Sequence, residues 1–400
     1  MNGYRCFACD EIHAADFDGF VCPSCGGNLD VVNDNDTILE HIRRAPFDTR
    51  RIPLQIGNTP LYPAERLGQS IGLRNLFLKD DTVNPSASSK DRASAAAVLR
   101  AMDTGASTIA VASTGNAGSS LACVAAAAGL QAIVLVPENA PVAKLTQALS
   151  FGANVLAVRG NYDDAFDLCL SASREFGWFN RSTGFNPFTR EGKKVCAWEI
   201  WASLDGRVPD RVIVPTGDGN ILSGMWKGWR ELKQVGLIDR LPKIDCAQSI
   251  SSDAISRTVR AVRQRAEIDI DWSTVEVESV SADTVADSIS VDKPRDGLAA
   301  ARAVIESNGE VAAVKDDDIL AAISEIAQAT GVFPEPAAAA SWAALKSMVA
   351  EGRVASDETA VCLVSGSGLK DIPHAQVAAG KPLVIESSLD AVRAALAITS

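Results

Sequence analysis

Apolar and polar residues alternate in a regular pattern along most of the chain. Short apolar runs rich in β-branched residues are separated by longer, alanine-rich stretches with the spacing of amphipathic helices. Between residues 88 and 201, this pattern predicts helices and strands at Ala93–Met102, Thr108–Ala112, Ser119–Ala128, Ala132–Val136, Val142–Ser150, Val155–Val158 and Asp163–Phe176. Alternation at this spacing predicts a parallel sheet with helices on both faces.

A second alternating series begins near Arg211 and continues towards the end of the chain. Ahead of both series, Asn33–Thr37 is a polar connection, and Thr37 is a candidate cap for a helix that continues to Ile42. Gly57–Pro60 is a turn that precedes the first strand. The pattern therefore predicts two α/β domains with a site in the cleft between them.

Three glycine-rich turns follow apolar runs at wide intervals. They lie within Thr108–Gly118, Val212–Asn220 and Ala360–Gly368, and each is a candidate junction between a strand and a helix. Such turns direct backbone N–H groups and a helix dipole towards a position where a phosphate can bind. Glycine turns also join strands to helices for steric reasons alone, so one turn by itself indicates little.

Lys90 lies in a small polar loop, Asn84–Arg92, that follows the apolar run Leu76–Lys79 and leads into an alanine-rich helix. A loop at a helix N-terminus has a positive local potential, which disfavours the ammonium form of a lysine. A neutral amine can condense with a carbonyl cofactor. Lys90 is therefore a candidate cofactor-binding and catalytic residue.

The Lys90 loop, the Ser113–Asn116 turn and the Ser365–Asp371 turn together resemble the threonine synthase family. Other segments resemble motifs of that family and of its fold type II relatives that use pyridoxal phosphate: Gly160–Phe166, Asn186–Gly192, Trp226–Gly228 and Gly331–Pro336. The resemblance covers nearly the whole chain. It implies a pyridoxal-phosphate-dependent lyase that converts the small amino acid O-phosphohomoserine and water into threonine and phosphate.

The same resemblance implies roles for single residues around the cofactor. Lys90 would carry pyridoxal 5'-phosphate and, once the substrate displaces it, act as the general base. Asn116 would bond to the phenolic oxygen, and Ser365 would face the pyridine nitrogen. The cofactor phosphate would bind the turn made of Gly217, Asp218, Gly219, Asn220 and Ile221.

Candidate substrate-binding residues flank these turns. Ser113 and Thr114 would face the substrate carboxylate, or else cap the following helix. Ser86 and Ser88 would bind a leaving phosphate, or else be ordinary loop residues. Arg190 is the candidate cation for the substrate phosphate.

The resemblance breaks at two positions near the expected substrate. Thr189 stands where the family's Asn-Pro turn is followed by arginine, and the family's Ala-Ile-Arg segment is Ser288–Ser290 here. Arginine matters because its planar fork matches phosphate oxygens, which threonine and serine cannot imitate. Lys293 and Arg295 either compensate for the missing arginines or form a solvated loop pair.

These departures leave two further functions open beside the leading one. The first is a related β-elimination or β-replacement on another hydroxy or phospho amino acid, as in relatives that resemble threonine or serine dehydratase or cysteate synthase. The second is an interaction protein that combines a zinc ribbon with an inactive enzyme body. The presence of Lys90, Asn116 and Ser365 favours an enzyme.

Four cysteines near the N-terminus form two Cys-x-x-Cys pairs. Cys6 and Cys9 are separated from Cys22 and Cys25 by twelve residues, a spacing that can direct four thiolates to one tetrahedral centre. A structural zinc ion is the leading interpretation. A ribbon that has lost its metal, and iron or redox use, are the alternatives.

Composition and charge narrow the class of protein. The chain has 400 residues, of which 47% are hydrophobic, and its formal net charge is −12. The negative charge, without a basic stripe, argues against nucleic-acid binding. The apolar runs are too interrupted for a membrane span, and no apolar core precedes Cys6 and Asp10, so we expect no signal peptide and a cytoplasmic protein. The three histidines lie outside the glycine-rich turns, which makes a hydrolytic triad improbable.

Together these observations predict two doubly wound α/β domains of the fold type II pyridoxal-phosphate enzymes and a small N-terminal ribbon. Residues 1–33 would form the zinc-ribbon-like segment and residues 88–201 the small domain. Residues 34–87 and 202–385 would form the large cofactor-binding domain, and residues 386–400 a C-terminal helix or tail. The resemblance also implies a homodimer.

Overall fold

The protein is described by a computed structural model. It covers residues 1–44, 47–140, 142–265 and 269–396, with the backbone alone for residues 142–144.

The alternating series between residues 88 and 201 forms a four-stranded sheet. Its strands are β6 (Thr108–Ala112), β7 (Gln131–Pro137), β8 (Asn154–Val158) and β9 (Phe179–Asn180). They lie in the order β8-β7-β6-β9, and every pairing is parallel. The predicted parallel sheet is therefore confirmed. Ile109, Val111 and Val134 are fully buried, which is why the central strands are continuous apolar runs.

The second series, with an earlier segment of the chain, forms a six-stranded sheet. Its strands are β4 (Leu61–Pro63), β5 (Asn75–Asp80), β10 (Arg211–Pro215), β11 (Lys243–Ser249), β12 (Val311–Val314) and β13 (Thr359–Val364). Their order is β12-β11-β10-β13-β5-β4, and only the edge strand β4 is antiparallel to its neighbour. The adjacent β10, β13 and β5 therefore end at the same edge of the sheet.

The N-terminal segment forms a third, antiparallel sheet. Its strands are β1 (Gly3–Cys6), β2 (Ile12–His13) and β3 (Leu29–Val32), in the order β2-β1-β3. The three sheets lie within the ranges that the sequence predicts for the ribbon, the large domain and the small domain. The domain boundaries themselves remain a prediction.

Helices cover both larger sheets. In the described part of the chain they are α1 (Asn35–Arg43), α2 (Glu65–Gln69), α3 (Lys90–Asp103), α4 (Asn116–Ala128), α5 (Val142–Ser150), α6 (Tyr162–Phe176), α7 (Phe188–Ser203), α8 (Asn220–Gln234), α9 (Ala254–Gln264), α10 (Gly297–Glu306), α11 (Asp316–Thr330), α12 (Pro336–Ala350), α13 (Ile372–Ala379) and α14 (Leu389–Leu396). None of these described helices has the length and hydropathy that crossing a membrane requires. Helix α14 lies in the predicted C-terminal tail, of which residues 397–400 lie outside the described residues.

Several helices begin earlier than the sequence pattern predicts, among them α3, which begins at Lys90 rather than Ala93. Helix α1 is capped by Asp34, whose Oδ1 accepts a hydrogen bond of 2.7 Å from the backbone N–H of Thr37. The prediction that Thr37 is the cap is therefore wrong, because Asp34 provides the cap three residues earlier. Helix α4 begins at Asn116 rather than Ser119.

Helix α7 packs against α3 on one side and α8 on the other. Glycines allow the close approach. A Cβ atom at Gly192 would lie 1.9 Å from the carbonyl oxygen of Arg92 in α3, and one at Gly228 in α8 would lie 2.2 Å from the carbonyl oxygen of Lys194. Only glycine fits at these two crossings, which allow α7 to pack closely against α3 and α8.

Candidate functional site

A cavity of about 480 Å³ lies where the three glycine-rich turns and the start of α3 meet. This volume is in the range of small-molecule and cofactor sites. Most of the predicted site residues line it: Lys90, Ser113, Thr114, Asn116, Gly217, Asp218, Gly219, Asn220, Ile221 and Ser365. The turns follow β6, β10 and β13, so the site forms at the carboxyl ends of parallel strands, where ligands of open α/β sheets bind.

Lys90 is the first residue of α3, and its side chain is partly buried in the wall of the cavity. Among the described residues, no hydrogen-bond or ion-pair partner lies within reach of its Nζ atom. Burial lowers the pKa of this amine; Glu335 and Asp218 oppose that effect, and Arg181 adds to it. Lys90 therefore has an amine with a depressed pKa that faces open space.

A buried ion network fixes the start of α3. Arg92 forms paired hydrogen bonds with Asp81, at 2.9 and 2.8 Å, and with Glu199, at 2.6 and 2.7 Å. Glu199 also accepts from Lys79 Nζ at 2.7 Å. Burial alone would raise the pKa of Glu199, but Arg92 and Lys79 outweigh it and lower this pKa to about 2. The network ties α7 to the end of β5 and to the helix that begins with Lys90.

Asn116 is held by a carboxylate that the sequence interpretation missed. Its Nδ2 atom donates to Glu335 Oε1 and Oε2 at 2.9 and 3.0 Å and to Ser288 Oγ at 3.1 Å. Glu335 is buried, and burial raises the pKa of its carboxyl, although Asn116 and Lys90 partly offset this rise. The segment Gly331–Pro336 is visible as a motif, but nothing in its local pattern indicates contact with a residue so distant in the chain.

The turn before α8 has the backbone geometry of an anion site. Gly219 has φ of +93°, a conformation that favours glycine, and directly precedes the first residue of the helix. A Cβ atom at Gly217 would lie 2.8 Å from the Cα atom of Ile289, so this position is also restricted. Asp218 does not point freely into the cavity, because its Oδ1 atom accepts a hydrogen bond of 3.0 Å from the backbone N–H of Arg295.

Three predicted substrate-binding residues lie outside the cavity lining. Ser86 is buried, and both its backbone N–H and its hydroxyl donate to Asp91. Ser88 is buried beside Gly366, to which it forms an isolated β-bridge, and its hydroxyl has no partner among the described residues. The arrangement of these two serines does not agree with their predicted role at a leaving phosphate.

Arg190 also departs from its predicted position. Its guanidinium donates to Asp296 at 2.5 Å, to the carbonyl oxygen of Leu29 at 2.9 Å and to Ser223 at 3.1 Å, and it lies 4.3 Å from the centre of the Phe7 ring. It is therefore already paired, between the ribbon and the body of the protein. The contacts that it makes are structural, and its role as a substrate-binding cation stays a prediction.

Of the two positions that break the resemblance, Ser290 lines the cavity and Thr189 does not. Thr189 is fully buried and donates to the carbonyl oxygen of Asn186. Ser290, Lys293 and Arg295 line the cavity, and Arg295 forms an ion pair of 3.0 Å with Asp163. Cations are therefore present at the cavity mouth, in positions that differ from those of the missing arginines.

The four ribbon cysteines converge as their spacing predicts. Their sulfur atoms all lie within 4.8 Å of one another, with Cys6–Cys25 at 3.4 Å, Cys9–Cys22 at 3.7 Å and Cys9–Cys25 at 3.4 Å. Four thiolates around a zinc ion at about 2.3 Å would be separated by about 3.8 Å. The donor set and its spacing therefore fit a tetrahedral metal ion.

The comparison with known families agrees with this geometry. The family described as "Pyridoxal-phosphate dependent enzyme" matches residues 52–366. The chain belongs to this family. The site fits its cofactor, since a cavity of suitable size contains a lysine amine without a partner at one point and a glycine turn at a helix N-terminus at another. The predicted cofactor class and enzyme class are confirmed.

Curated relatives in the family are threonine synthases. The chain is 35% identical to threonine synthase from Methanosarcina acetivorans over 412 aligned residues, covering 99% of each chain. It is 35% identical to the enzyme from Methanocaldococcus jannaschii, covering 97% of this chain and 98% of the relative. It is 36% identical to the enzyme from Halalkalibacterium halodurans, covering 81% of this chain and 86% of that one. The resemblance stated from the sequence motifs is confirmed.

Several solved structures share the fold of this chain. Threonine deaminase isoform 2 from Solanum lycopersicum superposes with a TM-score of 0.70 at 18% identity, covering 87% of this chain and 94% of that one. Diaminopropionate ammonia lyase from Escherichia coli gives a TM-score of 0.68 at 15% identity, covering 90% and 94%. The predicted fold type II α/β architecture is confirmed.

Proposed function

We propose that this protein is a threonine synthase, which converts O-phosphohomoserine and water into threonine and phosphate. The observation that carries the proposal is the similarity to curated threonine synthases over the full chain, combined with a lysine amine that faces the cavity. The enzyme class, a pyridoxal-phosphate-dependent lyase, follows from the family.

Lys90 would hold the cofactor, Asn116 would bond to its phenolic oxygen and Ser365 would face its pyridine nitrogen. The turn Gly217–Ile221 would bind its phosphate. The bound cofactor supplies an electron sink for the α-carbon of an amino acid. Glu335 supports this arrangement because it fixes the orientation of the Asn116 amide.

Lys90 would then move a proton at the substrate α-carbon. Burial lowers its pKa, which increases the fraction of neutral amine that can accept this proton. Ser113 and Thr114, in the turn before α4, would orient the substrate carboxylate. Lys293 and Arg295, at the cavity mouth, would attract the substrate phosphate.

A second candidate is a β-elimination or β-replacement on another hydroxy or phospho amino acid. The observation in its favour is that two positions where the family has arginine are neutral here. Thr189 is buried, and Ser290 lines the cavity. Both positions lack the arginine fork that matches a phosphate.

The remaining features belong to the same proposal. Cys6, Cys9, Cys22 and Cys25 would bind a structural zinc ion. Four protein ligands leave no open position on the metal, so it would stabilise the ribbon without a catalytic step. By resemblance to the threonine synthase family, the enzyme would be a cytoplasmic homodimer.

The test is an assay of the purified protein with O-phosphohomoserine, and with serine, threonine and O-phosphoserine in parallel. Phosphate release and amino acid products are measured together. We expect equimolar threonine and phosphate from O-phosphohomoserine, and no turnover in Lys90→Ala. Lys233→Ala, at an exposed position of α8, is the matched control and should keep full activity. Turnover of another amino acid with O-phosphohomoserine inert would support the second candidate instead.

A further inference from the structure

Four lysines of the described residues are buried: Lys79, Lys193, Lys194 and Lys227. Three of them are paired with carboxylates. The Nζ atom of Lys79 lies 2.7 Å from a carboxylate oxygen of Glu199. The corresponding distances are 2.7 Å from Lys194 to Glu191 and 2.9 Å from Lys227 to Asp30. Such pairing is the normal condition for a charge removed from water, because an isolated buried charge is costly.

Lys193 is the exception. Its side chain is 1% exposed, and no carboxylate oxygen of the described residues lies within 4.0 Å of its Nζ atom. The hydrogen bond that it makes is to a neutral amide, Asn220 Oδ1, at 2.6 Å. Burial lowers the pKa of Lys193, the positive charges of Lys90 and Arg181 lower it further, and the more distant carboxylates of Asp296 and Asp218 oppose these effects only in part. Lys193 is therefore a buried lysine without a direct carboxylate partner.

The surroundings of Lys193 make an anion the missing partner. Lys193 lines the cavity, and Asn220 is the first residue of α8, directly after the Gly217–Gly219 turn. Asp296, one of the two acids that raise the pKa of Lys193, is already engaged by Arg190, Ser223 and Asn220. Helix α8 and Lys193 thus present a positive potential to the same part of the cavity.

Arg181, a second buried cation near the cavity, adds to this positive potential. Arg181 is fully buried, and its NH2 group has no hydrogen-bond partner among the described residues. Its NH1 group donates to Thr183 Oγ1 at 2.8 Å, and Thr183 lines the cavity. Because the Thr183 oxygen accepts from Arg181, its own hydroxyl hydrogen is available to a ligand.

The position of Lys193 also relates to the missing arginine. Lys193 follows Thr189 by four residues in α7, so the two side chains lie on the same face of the helix, one turn apart. The chain has threonine instead of the family's arginine at position 189, but Lys193, one helical turn later, provides a positive charge that lines the cavity. A phosphate, with its double negative charge, is the anion that the family's cofactor and the proposed substrate both contain.

We propose that Lys193 binds a phosphate group in this cavity, together with the backbone N–H groups at the start of α8 and the hydroxyl of Thr183. The phosphate is either that of pyridoxal phosphate or that of the substrate. The first source follows from the family to which the chain belongs, and the second depends on the proposed function. The chemistry required of Lys193 is the same in both cases. The two sources are separated by the experiment.

The first arm measures cofactor affinity of the apoenzyme by quenching of tryptophan fluorescence, with pyridoxal phosphate and with pyridoxal, which lacks the phosphate. If Lys193 holds the cofactor phosphate, Lys193→Met weakens pyridoxal phosphate binding by roughly ten- to hundredfold and leaves pyridoxal binding unchanged. Lys193→Arg, which keeps the charge, restores most of the affinity. Lys233→Met, on the exposed face of α8, is the control for a lost lysine.

The second arm titrates the holoenzyme with inorganic phosphate and follows the binding heat by calorimetry. If Lys193 holds the substrate phosphate, Lys193→Met raises the dissociation constant of inorganic phosphate roughly tenfold or more, with cofactor affinity unchanged. A result in either arm supports the proposal. Unchanged values in both arms overturn it.

The thermal midpoint of the apoenzyme provides a check on folding. Lys193→Met leaves Asn220 Oδ1 without its donor, so the midpoint should fall by no more than the loss of one buried hydrogen bond causes, whereas loss of a lysine paired with a carboxylate lowers it further. A fall as large as that caused by loss of a paired lysine would contradict the view that Lys193 has no carboxylate partner. The two proposals can fail separately. If the protein does not turn over O-phosphohomoserine but Lys193→Met still weakens the binding of pyridoxal phosphate or of inorganic phosphate, the proposed reaction is rejected and the role of Lys193 is retained.

Discussion

The charges closest to Lys90 come from separate parts of the chain. Glu335 precedes α12 and is buried beside Asn116, where its carboxylate raises the pKa of Lys90 against the effect of burial. A Cβ atom at Gly366 would lie 2.4 Å from Glu335 Oε1, so the third glycine-rich turn leaves room for this carboxylate. Glu335 is therefore a positioning residue that acts through Asn116 and through its charge.

Glu335→Gln should change the pH behaviour of the bound cofactor. The substitution removes a negative charge near the Lys90 nitrogen, so protonation there becomes less favourable. We expect the pH midpoint of the change in cofactor absorption to fall by roughly one pH unit. Absorption spectra of the holoenzyme across a pH series measure this shift.

Two variants separate charge from packing at this position. Glu335→Asp keeps the charge and should restore the wild-type midpoint. Glu351→Gln makes the same substitution at the exposed end of α12 and should have no effect. An unchanged midpoint in Glu335→Gln would mean that the carboxyl is already protonated, which would reject its electrostatic role.

At the scale of elements, buried ion pairs join α7 to helix α3 and to β5 of the six-stranded sheet. Glu199 from this helix binds both Arg92 in α3 and Lys79 in β5. Since Arg92 lies two residues after Lys90, the network stabilises the position of the predicted catalytic lysine.

Glu199→Gln should destabilise the protein by about 3 to 5 kcal/mol at neutral pH, because it leaves Lys79 and part of Arg92 buried without a balancing charge. The folded-state pKa of Glu199, about 2, is lowered from 4.5. Its contribution is therefore complete above pH 4.5 and is lost as the pH falls towards 2. Denaturant unfolding of both proteins at several pH values measures the difference.

The difference between wild type and Glu199→Gln should thus shrink as the pH decreases through this window. Glu175→Gln, at an exposed position of α6, is the matched control and should match the wild type within about 0.5 kcal/mol. A constant difference at all these pH values would indicate that packing, and not ionisation, accounts for the effect.

Elements differ in how far the sequence predicts them. The strands β6, β7 and β10 and the turns after them are local patterns and could be predicted as such, whereas the convergence of Lys90, Asn116 and Ser365 was implied by the resemblance to the family. Contacts such as Asn116 to Glu335 join residues that are 219 positions apart, and no local pattern specifies them. The partners of Arg190, in the ribbon and at Asp296, are distant in the chain and could not be predicted for the same reason.

At the scale of the whole molecule, the ribbon is connected to the cofactor turn by a chain of polar contacts. Asn28 in the ribbon donates to Asp296 at 3.1 Å, and Asp296 accepts from Asn220 at 2.9 Å. Asp30 binds Arg190 at 3.3 Å and Lys227 at 2.9 Å. The ribbon thereby neutralises buried cations directly behind the predicted phosphate site.

Removal of the predicted zinc ion should therefore affect the distant cofactor. Without metal, the small ribbon loses its main stabilising element, and its contacts to the body weaken with it. We expect treatment with a strong zinc chelator to lower the thermal midpoint by several degrees and to weaken pyridoxal phosphate binding roughly tenfold, since one or two buried polar contacts of about 1 kcal/mol each are lost. Calorimetry and fluorescence titration of metal-free protein test both effects, and restored zinc should reverse them.

The variant Asp30→Asn separates the metal from the contacts that it supports. Its four cysteines are intact, so zinc content should equal that of the wild type, while Arg190 and Lys227 lose a negative partner. If the contacts transmit the effect, cofactor affinity falls in Asp30→Asn at full zinc occupancy, and Asp16→Asn on the exposed surface of the ribbon leaves it unchanged. Normal cofactor affinity in both Asp30→Asn and the metal-free protein would show that the ribbon folds independently of the site.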